Sequence, residues 1–448
     1  MPLPPSDDTI SAIATAPGMG AIGIVRLSGP RALEVASRVF RPASGRVVQD
    51  IPPGRATFGH VVDGDTLLDE GLLLGFRAPK SATGQDVAEL QVHGGTALLQ
   101  AVQAACLRAG ARAAGPGEFT LRAFLAGRID LAQAESVQAL VSARSDAARR
   151  HATLGLTGAL SARLDAIQRE LTALYAAVLA VLDYPEEGVP DAEIAEPLER
   201  ATRAIDELLA TAAAGRAATQ GARLALVGKP NAGKSSLLNA LLGYERSIVS
   251  DEPGTTRDYL EAPLELGRVT VTAVDTAGLR ETSDTVEASG VRAAERLAAG
   301  ADVVVALVDA SRPLDASDVH LVTRLEGPRT VWVASKADLP PVWPDDALGA
   351  RPLRVSTRTG EGLDALRATL EETLVGDAAA SEVWVVHERH EAALREAREA
   401  LERARFAPDD LRGLDLETAL RALGAITGRT EVAEDTLAEV FARFCVGK

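Results

Sequence analysis

Gly228-Lys229-Pro230-Asn231-Ala232-Gly233-Lys234-Ser235 decides how the middle of this chain is read. The stretch fits the pattern of Gly, four residues, then Gly-Lys-Ser. It follows a short apolar run, residues 224–227, and opens a helical pattern that runs from Ser236 to Leu242. Glycines let backbone N–H groups, together with the helix N-terminus, wrap closely around phosphates. Asn231, Ala232, Gly233 and Ser236 are the loop's own contacts to such a ligand. Lys234 supplies a point charge for the β and γ oxygens, and Ser235 a hydroxyl for Mg²⁺. An incidental Gly-rich turn would not come with strand, loop and helix in that order.

Working outward, residues 224–227, 269–274, 303–308, 331–334 and 353–355 are short, β-branched runs bounded by turns, with helical patterns between most of them. That alternation is the mark of a doubly wound, largely parallel sheet. Ser335-Lys336-Ala337-Asp338 resembles the Asn-Lys-x-Asp element of GTPases. A carboxylate at Asp338 accepts from the two adjacent donors on guanine's edge, whereas adenine puts an acceptor at one of those places. Lys336 lays its stem beside the base. Ser335 replaces the usual Asn, which predicts weaker tethering of this loop with the guanine preference kept. Ser356-Thr357-Arg358 resembles the last GTPase element, again with one substitution. Asp275-Thr276-Ala277-Gly278 places Asp275 near Mg²⁺ and the Gly278 N–H near the γ-phosphate, and Gly254-Thr255-Thr256-Arg257-Asp258 offers Thr256 as the second Mg²⁺ hydroxyl. Five elements in order make the GTPase reading strong.

Hydrolysis needs a group that orients water. Ras-like enzymes use a Gln just after the Asp-x-x-Gly element; here that position is Leu279, which forms no hydrogen bond. Arg280, Glu281, Asp284 and Glu287 are nearby alternatives that the residues alone do not separate.

The flanks differ from this core. Residues 1–118 read as mixed α/β, with strand patterns at 9–15, 22–27, 56–62, 72–76 and 87–92 and helical ones at 31–40 and 96–109. Gly115-Pro116-Gly117 then breaks the chain. Residues 119–215 are helical. Leu160, Leu164, Ile167, Leu171, Leu174, Val178 and Val181 recur at spacings of four and three, one apolar stripe on a long helix that Pro185, Gly188 and Pro190 stop. A second helix carries Leu198, Ile205, Leu208 and Leu209 and is expected to end at Gly215. Residues 216–376 form the doubly wound domain. After Asp377-Ala378-Ala379-Ala380 residues 377–448 return to helix, 388–406 first, with Pro408 as a break. The expected fold class is therefore an α/β N-terminal domain plus an all-helical domain into which a Ras-like doubly wound α/β domain is inserted.

Composition narrows the function. The chain has 448 residues, 46% hydrophobic and 25% charged, which suits a large core and excludes wholesale disorder. Its 3 Trp, 4 Tyr and 8 Phe are few for a protein that grips RNA by base stacking. A net charge of −16 counts against a broad phosphate-binding surface of its own. Only five lysines, Lys80, Lys229, Lys234, Lys336 and Lys448, stand among the 47 basic residues. Lysines that survive such a bias point to places needing a compact ammonium rather than a guanidinium fork. Two cysteines, Cys106 and Cys445, form neither a disulfide framework nor a Cys-only zinc site; Cys106 lies in an apolar helical pattern and is expected in the core. No secretory pattern and no stretch of ~18 apolar residues is present, so no membrane association and a cytoplasmic location are expected.

Outside the nucleotide motifs, the chain resembles the MnmE (TrmE) family of tRNA modification GTPases along essentially its full length. Asp8-Thr9-Ile10, the run Pro17-Gly18-Met19-Gly20 through Arg26, and Glu89-Leu90-Gln91-Val92-His93-Gly94-Gly95 carry the likeness. So do Pro116-Gly117-Glu118-Phe119-Thr120-Leu121-Arg122-Ala123-Phe124, Gly127-Arg128 and Asp130–Glu135, together with the Cys445-Val446-Gly447-Lys448 end. The resemblance implies a homodimer joined through N-terminal domains, residues 1–118, that bind a 5-formyltetrahydrofolate-type cofactor. It implies an FAD-carrying partner, MnmG, in a heterotetramer, with tRNA contacted mainly through that partner. Together they would add an aminomethyl-type group to carbon 5 of the wobble uridine. Arg26, Glu89, Arg128 and Lys448 match the folate contacts: arginine and lysine for the carboxylates, Glu89 for the pterin donors. Arg128 stands where many relatives have Lys. Cys445 matches a cysteine implicated in the modification. K⁺ is implied near Asn231 and the segment Ser250-Asp251-Glu252-Pro253-Gly254-Thr255, with Asn231, Ser250, Glu252 and Thr255 as ligands, and Glu287 matches the water-orienting acid. Lys234, Glu287 and Cys445 are thus the expected catalytic groups. The alternative is a regulatory or ribosome-assembly GTPase switch without modification chemistry; Glu89–Gly95 and the Cys445–Lys448 end argue against it, since a pure switch needs neither.

Overall fold

The computed structural model describes residues 7–143, 145–183, 191–243, 263–274, 298, 300–325, 327, 329–344, 347, 351–376, 378, 381, 383–430 and 432–447. The chain divides into two compact units, residues 1–138 with 424–448, and residues 139–423.

The first unit is built on a seven-stranded sheet of order β3-β4-β5-β6-β2-β1-β7. Its strands are β1 (Ile10–Ile13), β2 (Gly20–Ser28), β3 (Phe40–Pro42), β4 (Thr57–Asp63), β5 (Thr66–Phe76), β6 (Val87–Gly94) and β7 (Arg112–Ala113). All pairings are antiparallel except β1 with β7. Helices α1 (Ala32–Val39) and α2 (Thr96–Arg108) cover one face, where Val25, Leu27, Val35, Phe40, Leu73, Leu90, Val102 and Cys106 form the core. Cys106 is fully buried there, and burial pushes its thiol up to about 12. Strand alternation sends the odd residues of β2, Gly23, Val25 and Leu27, into this core, so Ile24 and Arg26 face the other side. In β6 the same alternation leaves Glu89, Gln91 and His93 on that opposite face.

Residues 119–138 and 424–447 group with this sheet for a physical reason. Leu121 of α3 (Glu118–Leu125), Leu131 and Ala134 of α4 (Leu131–Ser142), and Leu437 and Phe441 of the last helix (Glu434–Ala442) share one apolar cluster with Phe444. Gly117, at the head of α3, has φ of 63°, a left-handed conformation that suits glycine. Beneath α3, Arg122 and Glu118 are buried, with Arg122 bonded to Asp8 and, at 3.0 Å, to Glu118, and with Arg112 reaching Glu118 at 2.6 Å.

In the second unit, α5 (Asp146–Leu156), α6 (Ala159–Asp183), α7 (Asp191–Leu209) and α8 (Ala212–Arg216) come first. Leu160, Leu164, Ile167, Leu171, Leu174 and Val178 are all buried along α6. The side chain of Val181, and Pro185, Gly188 and Pro190, lie outside the described residues. The helix expected to run to Gly215 breaks instead after Leu209. The Thr211 hydroxyl donates to Leu208 O at 2.6 Å and accepts the Val385 N–H at 3.0 Å, so a side chain takes over the bonding of the helix end.

The inserted domain has a six-stranded sheet, order β13-β12-β11-β8-β10-β9. Its strands are β8 (Ala222–Gly228), β9 (Pro263–Leu266), β10 (Val269–Val274), β11 (Val303–Asp309), β12 (Thr330–Ser335) and β13 (Leu353–Val355). Only β9 with β10 is antiparallel. Parallel strands with both faces covered read as unbroken apolar runs. Accordingly Leu224, Leu226, Val303 and Val305 pack on one side, and Ala225, Val227, Val304 and Ala306 on the other. Helix α9 (Lys234–Gly243) follows β8, α10 (Ala316–Leu325) lies between β11 and β12, and α11 (Leu363–Val375) follows β13; α12 (Glu388–Phe406), α13 (Asp409–Thr427) and α14 (Glu434–Ala442) come after. Among the described residues, no helix is long and apolar enough to cross a membrane.

Candidate functional site

The chain visits β8 first and then places strands on both of its sides. The carboxyl end of β8 is therefore the topological switch point at which open α/β sheets bind ligands. Residues 228–235 sit there. Gly228 has φ of 157°, and a Cβ on it would lie 2.6 Å from Leu307 O, so no larger residue fits. Asn231 and Gly233 take left-handed φ values of 64° and 98°. Asn tolerates that conformation better than most residues, and together they turn the loop over before α9 begins. Ala232 is buried, while Asn231, Ser235 and Ser236 are at least partly exposed. The Lys234 ammonium donates to two carbonyls of its own loop, Gly228 O at 2.7 Å and Lys229 O at 2.9 Å. A cation resting on loop carbonyls is available to phosphate oxygens that would pair with it more strongly.

Beside this loop, Ser335 at the end of β12 is buried, and its hydroxyl donates to Ala232 O at 2.7 Å, with Val308 O at 3.3 Å. The shorter side chain still reaches the phosphate loop, although a hydroxyl has one proton to give. Lys336 adopts φ of 59°, a costly conformation for a residue with a side chain. It is held by Asp309 at 2.6 Å. Burial pushes the Asp309 carboxyl up, but the bonds from Lys336 and from the Ser311 hydroxyl and N–H more than offset this, leaving it below its ordinary value. Asp338 is exposed, and one of its oxygens accepts from the buried Ser356 hydroxyl at 2.8 Å. Ser356 in turn accepts the N–H groups of Arg358 and Thr359 at 3.3 and 3.2 Å. Thr357 and Arg358 are exposed. One carboxylate oxygen is thus fixed and the other side of the group faces out. Ser250, Asp251, Glu252, Pro253, Gly254, Thr255, Thr256, Asp275, Thr276, Ala277, Gly278 and Glu287 lie outside the described residues, as do Arg280, Glu281 and Asp284.

In the other unit a second site is assembled from distant sequence. Arg26 and Glu89 are register partners on neighbouring strands, and Arg26 Nε donates to Glu89 Oε1 at 2.9 Å. Arg26 Nη1 lies 3.4 Å from Gly447 O, and its guanidinium stands 5.8 Å from the Phe119 ring centroid. The chain end is stitched in by a bridge between Pro116 and Val446 and by the Gly117 N–H to Cys445 O at 3.4 Å. Gly447 has φ of 97° and fits so tightly that a Cβ on it would clash with Ile13 O. Cys445 and Arg128 are exposed; Lys448 lies outside the described residues. Arg26, Glu89 and the tail are therefore together. Guanidinium and carboxylate side by side present hydrogen-bond donors and an acceptor to one polar edge of a ligand.

The residues match the family described as the MnmE helical domain over 131–445 and that described as the GTP-binding protein TrmE N-terminus over 9–128. The tRNA modification GTPase MnmE of Thermus thermophilus is 52% identical over 443 residues, covering 98% of this chain and 99% of that protein. This chain belongs to the MnmE family of tRNA modification GTPases. The Chloroflexus aurantiacus MnmE is 44% identical over 457 residues, covering 99% of this chain and all of that one. Among solved structures, a variant of Aquifex aeolicus Era bound to GDP·AlF4⁻ is similar at 25% identity, over 40% of this chain and 66% of that chain, with a TM-score of 0.26. As an MnmE-family protein, the chain is a GTPase of tRNA modification.

Sequence reasoning missed Asp309, Asp315 and Asp318, the acids that hold lysines around the nucleotide loop. Asp309 was within reach, since a carboxylate closing an apolar parallel strand stands where such sheets bind ligands. It also missed Phe119 and Gly447, whose roles depend on packing between residues far apart in the chain.

Proposed function

We propose that this protein binds GTP at residues 228–236, with guanine read by Asp338 and flanked by Lys336, and hydrolyses it to drive addition of an aminomethyl-type group to carbon 5 of the wobble uridine of certain tRNAs. Ser335, Ser356, Thr357 and Arg358 shape the base pocket. Lys234 leaves its loop carbonyls to meet the β and γ oxygens. Mg²⁺, held by Ser235 and Thr256 with Asp275 nearby, would neutralise phosphate charge. K⁺ held by Asn231, Ser250, Glu252 and Thr255 would add positive charge where charge builds up during transfer. Glu287 orients the attacking water. Asp251, Pro253, Gly254, Thr276, Ala277 and Gly278 line the phosphates.

At the other site, a folate of the 5-formyltetrahydrofolate type would supply a one-carbon group. Arg26, Arg128 and Lys448 would bind its carboxylates and Glu89 its pterin edge, with Cys445 as the reactive thiol of the tail. The protein acts as a homodimer joined through its N-terminal domains, with an FAD-dependent MnmG partner that carries most tRNA contacts, in the cytoplasm. The acidic balance of the chain fits that division of labour.

What supports this reading over a simple switch is the convergence of Arg26, Glu89 and the Cys445–Gly447 end in one place. A switch has no use for an exposed cysteine two residues from a glycine that meets an Arg–Glu pair. Mass spectrometry of tRNA from a deletion strain tests it. Loss of the modified wobble uridine, restored by the wild-type chain and not by Cys445→Ser, is expected. An unchanged nucleoside profile would return the protein to the class of switches.

A further inference from the structure

We infer that Lys229 is a positioning residue for nucleotide binding, pinning the phosphate loop to the first turn of α10 through Asp315 and Asp318. The inference rests on the reading of residues 228–236 as the nucleotide site. Lys229 occupies a position that the phosphate-loop pattern leaves open, yet its side chain is only 18% exposed. Its ammonium contacts Asp315 and stands 2.9 Å from Asp318 Oδ2.

Those two acids are not loose surface charge. The Asp315 N–H donates to Asp318 Oδ2 at 3.2 Å and the Asp318 N–H donates to Asp315 Oδ1 at 3.3 Å. This is a reciprocal capping pair at the head of a helix. Asp318 is buried. Two carboxylates this close repel, and the Lys229 ammonium between them offsets that repulsion. Arg312 comes only within 3.9 Å of Asp318 Oδ1, beyond hydrogen-bond length. Of these two cations, Lys229 is the one that Asp318 holds closely.

The main chain of the same residue carries the loop's working parts. Lys229 O accepts the Lys234 ammonium at 2.9 Å and the Ala232 N–H at 3.2 Å. A side chain fixed to α10 therefore fixes the carbonyl on which Lys234 rests and around which the loop turns. The connection leading into α10 also begins at Asp309, which holds Lys336 at 2.6 Å. One short segment, residues 309–318, grips the phosphate side through Lys229 and the base side through Lys336. Because Lys229 touches neither the γ-phosphate's chemistry nor the water, its contribution falls equally on GTP and GDP. It appears as binding and not as turnover.

The test measures dissociation constants for fluorescent GDP and GTP analogues, and kcat at saturating GTP, on the full-length chain. Lys229→Met and Asp318→Asn are each expected to raise both dissociation constants about tenfold with kcat within about twofold of wild type. The double variant is expected to bind no worse than Lys229→Met, because both changes remove one link. Unchanged affinity in Lys229→Met, additive losses in the double variant, or a fall in kcat with affinity kept would each overturn the assignment. If Asp318→Asn does not fold, Lys229→Arg replaces it. Affinity near wild type then supports an ionic link, and affinity equal to that of Lys229→Met overturns it. A wild-type chain that binds no guanine nucleotide overturns the underlying site as well, whereas variants that match a binding wild type overturn only the role of Lys229.

Discussion

The two sites of this protein are built in opposite ways. The phosphate loop is eight consecutive residues between one strand and one helix, and its partners Ser335, Lys336 and Asp338 lie at and just beyond the end of β12, two strands away in the same sheet. The N-terminal site draws Arg26, Glu89, Phe119 and Gly447 from four separate stretches. A contiguous loop forms its geometry locally, from glycine and asparagine conformations. A dispersed site exists only when strand register, α3 and the chain end are all in place. The first should tolerate damage outside its own sheet, and the second should fail with the stability of its unit.

The largest effect expected from this contrast is on the buried ion network that seats α3. Arg122→Met leaves Glu118 buried without one of its partners and should destabilise the N-terminal unit by about 3–5 kcal/mol, read by denaturant titration. Burial raises the Asp8 and Glu118 carboxyls, but bonds from Arg112 and Arg122 more than offset it, so both titrate below their ordinary 3.8 and 4.5. Depressed carboxyls stabilise above the unfolded values and lose that contribution as pH falls. Stability of the wild-type unit should therefore drop below about pH 4.5, and less steeply in the variant. Equal slopes would remove the network from the account.

Next in size, Glu287→Ala should lower GTP turnover about 100-fold with GTP affinity nearly kept; comparable loss in both would make Glu287 structural. Arg26→Ala should weaken folate binding roughly tenfold by calorimetry, since one charged hydrogen bond is worth about 1.5–3 kcal/mol, and an unchanged affinity would remove Arg26 from that site. At the small end, Ser335→Asn should change GTP affinity less than about threefold, because the serine hydroxyl already holds Ala232 O at 2.7 Å. A large gain would show that the serine tether is weak after all.

The same contrast explains what was legible from sequence. The strand–loop–helix of residues 222–243 and the stripe along α6 are local patterns, and both stand where their periodicity placed them. Strands β3, β7 and β9, of 3, 2 and 4 residues, are absent from the sequence reading and are defined by the strands they pair with. The break after Leu209 depends on Thr211 bonding to Val385, far along the chain. Arg26 and Glu89 came from family resemblance; their adjacency is a matter of register, which no local reading supplies. Asp315 and Asp318 belong to no motif in the sequence, and only the fold brings Lys229 between them.

Guanine selection by Asp338 is the most direct point at which to test the whole account. Guanine offers a donor at carbon 2 where xanthine offers a carbonyl, so the Asp338→Asn amide, which can donate, should exchange the preference. Turnover of GTP and of xanthosine triphosphate by the wild type and by Asp338→Asn is the measurement. The account predicts that the wild type hydrolyses GTP and not xanthosine triphosphate, and that the variant does the reverse. A variant that keeps its preference for GTP would contradict it.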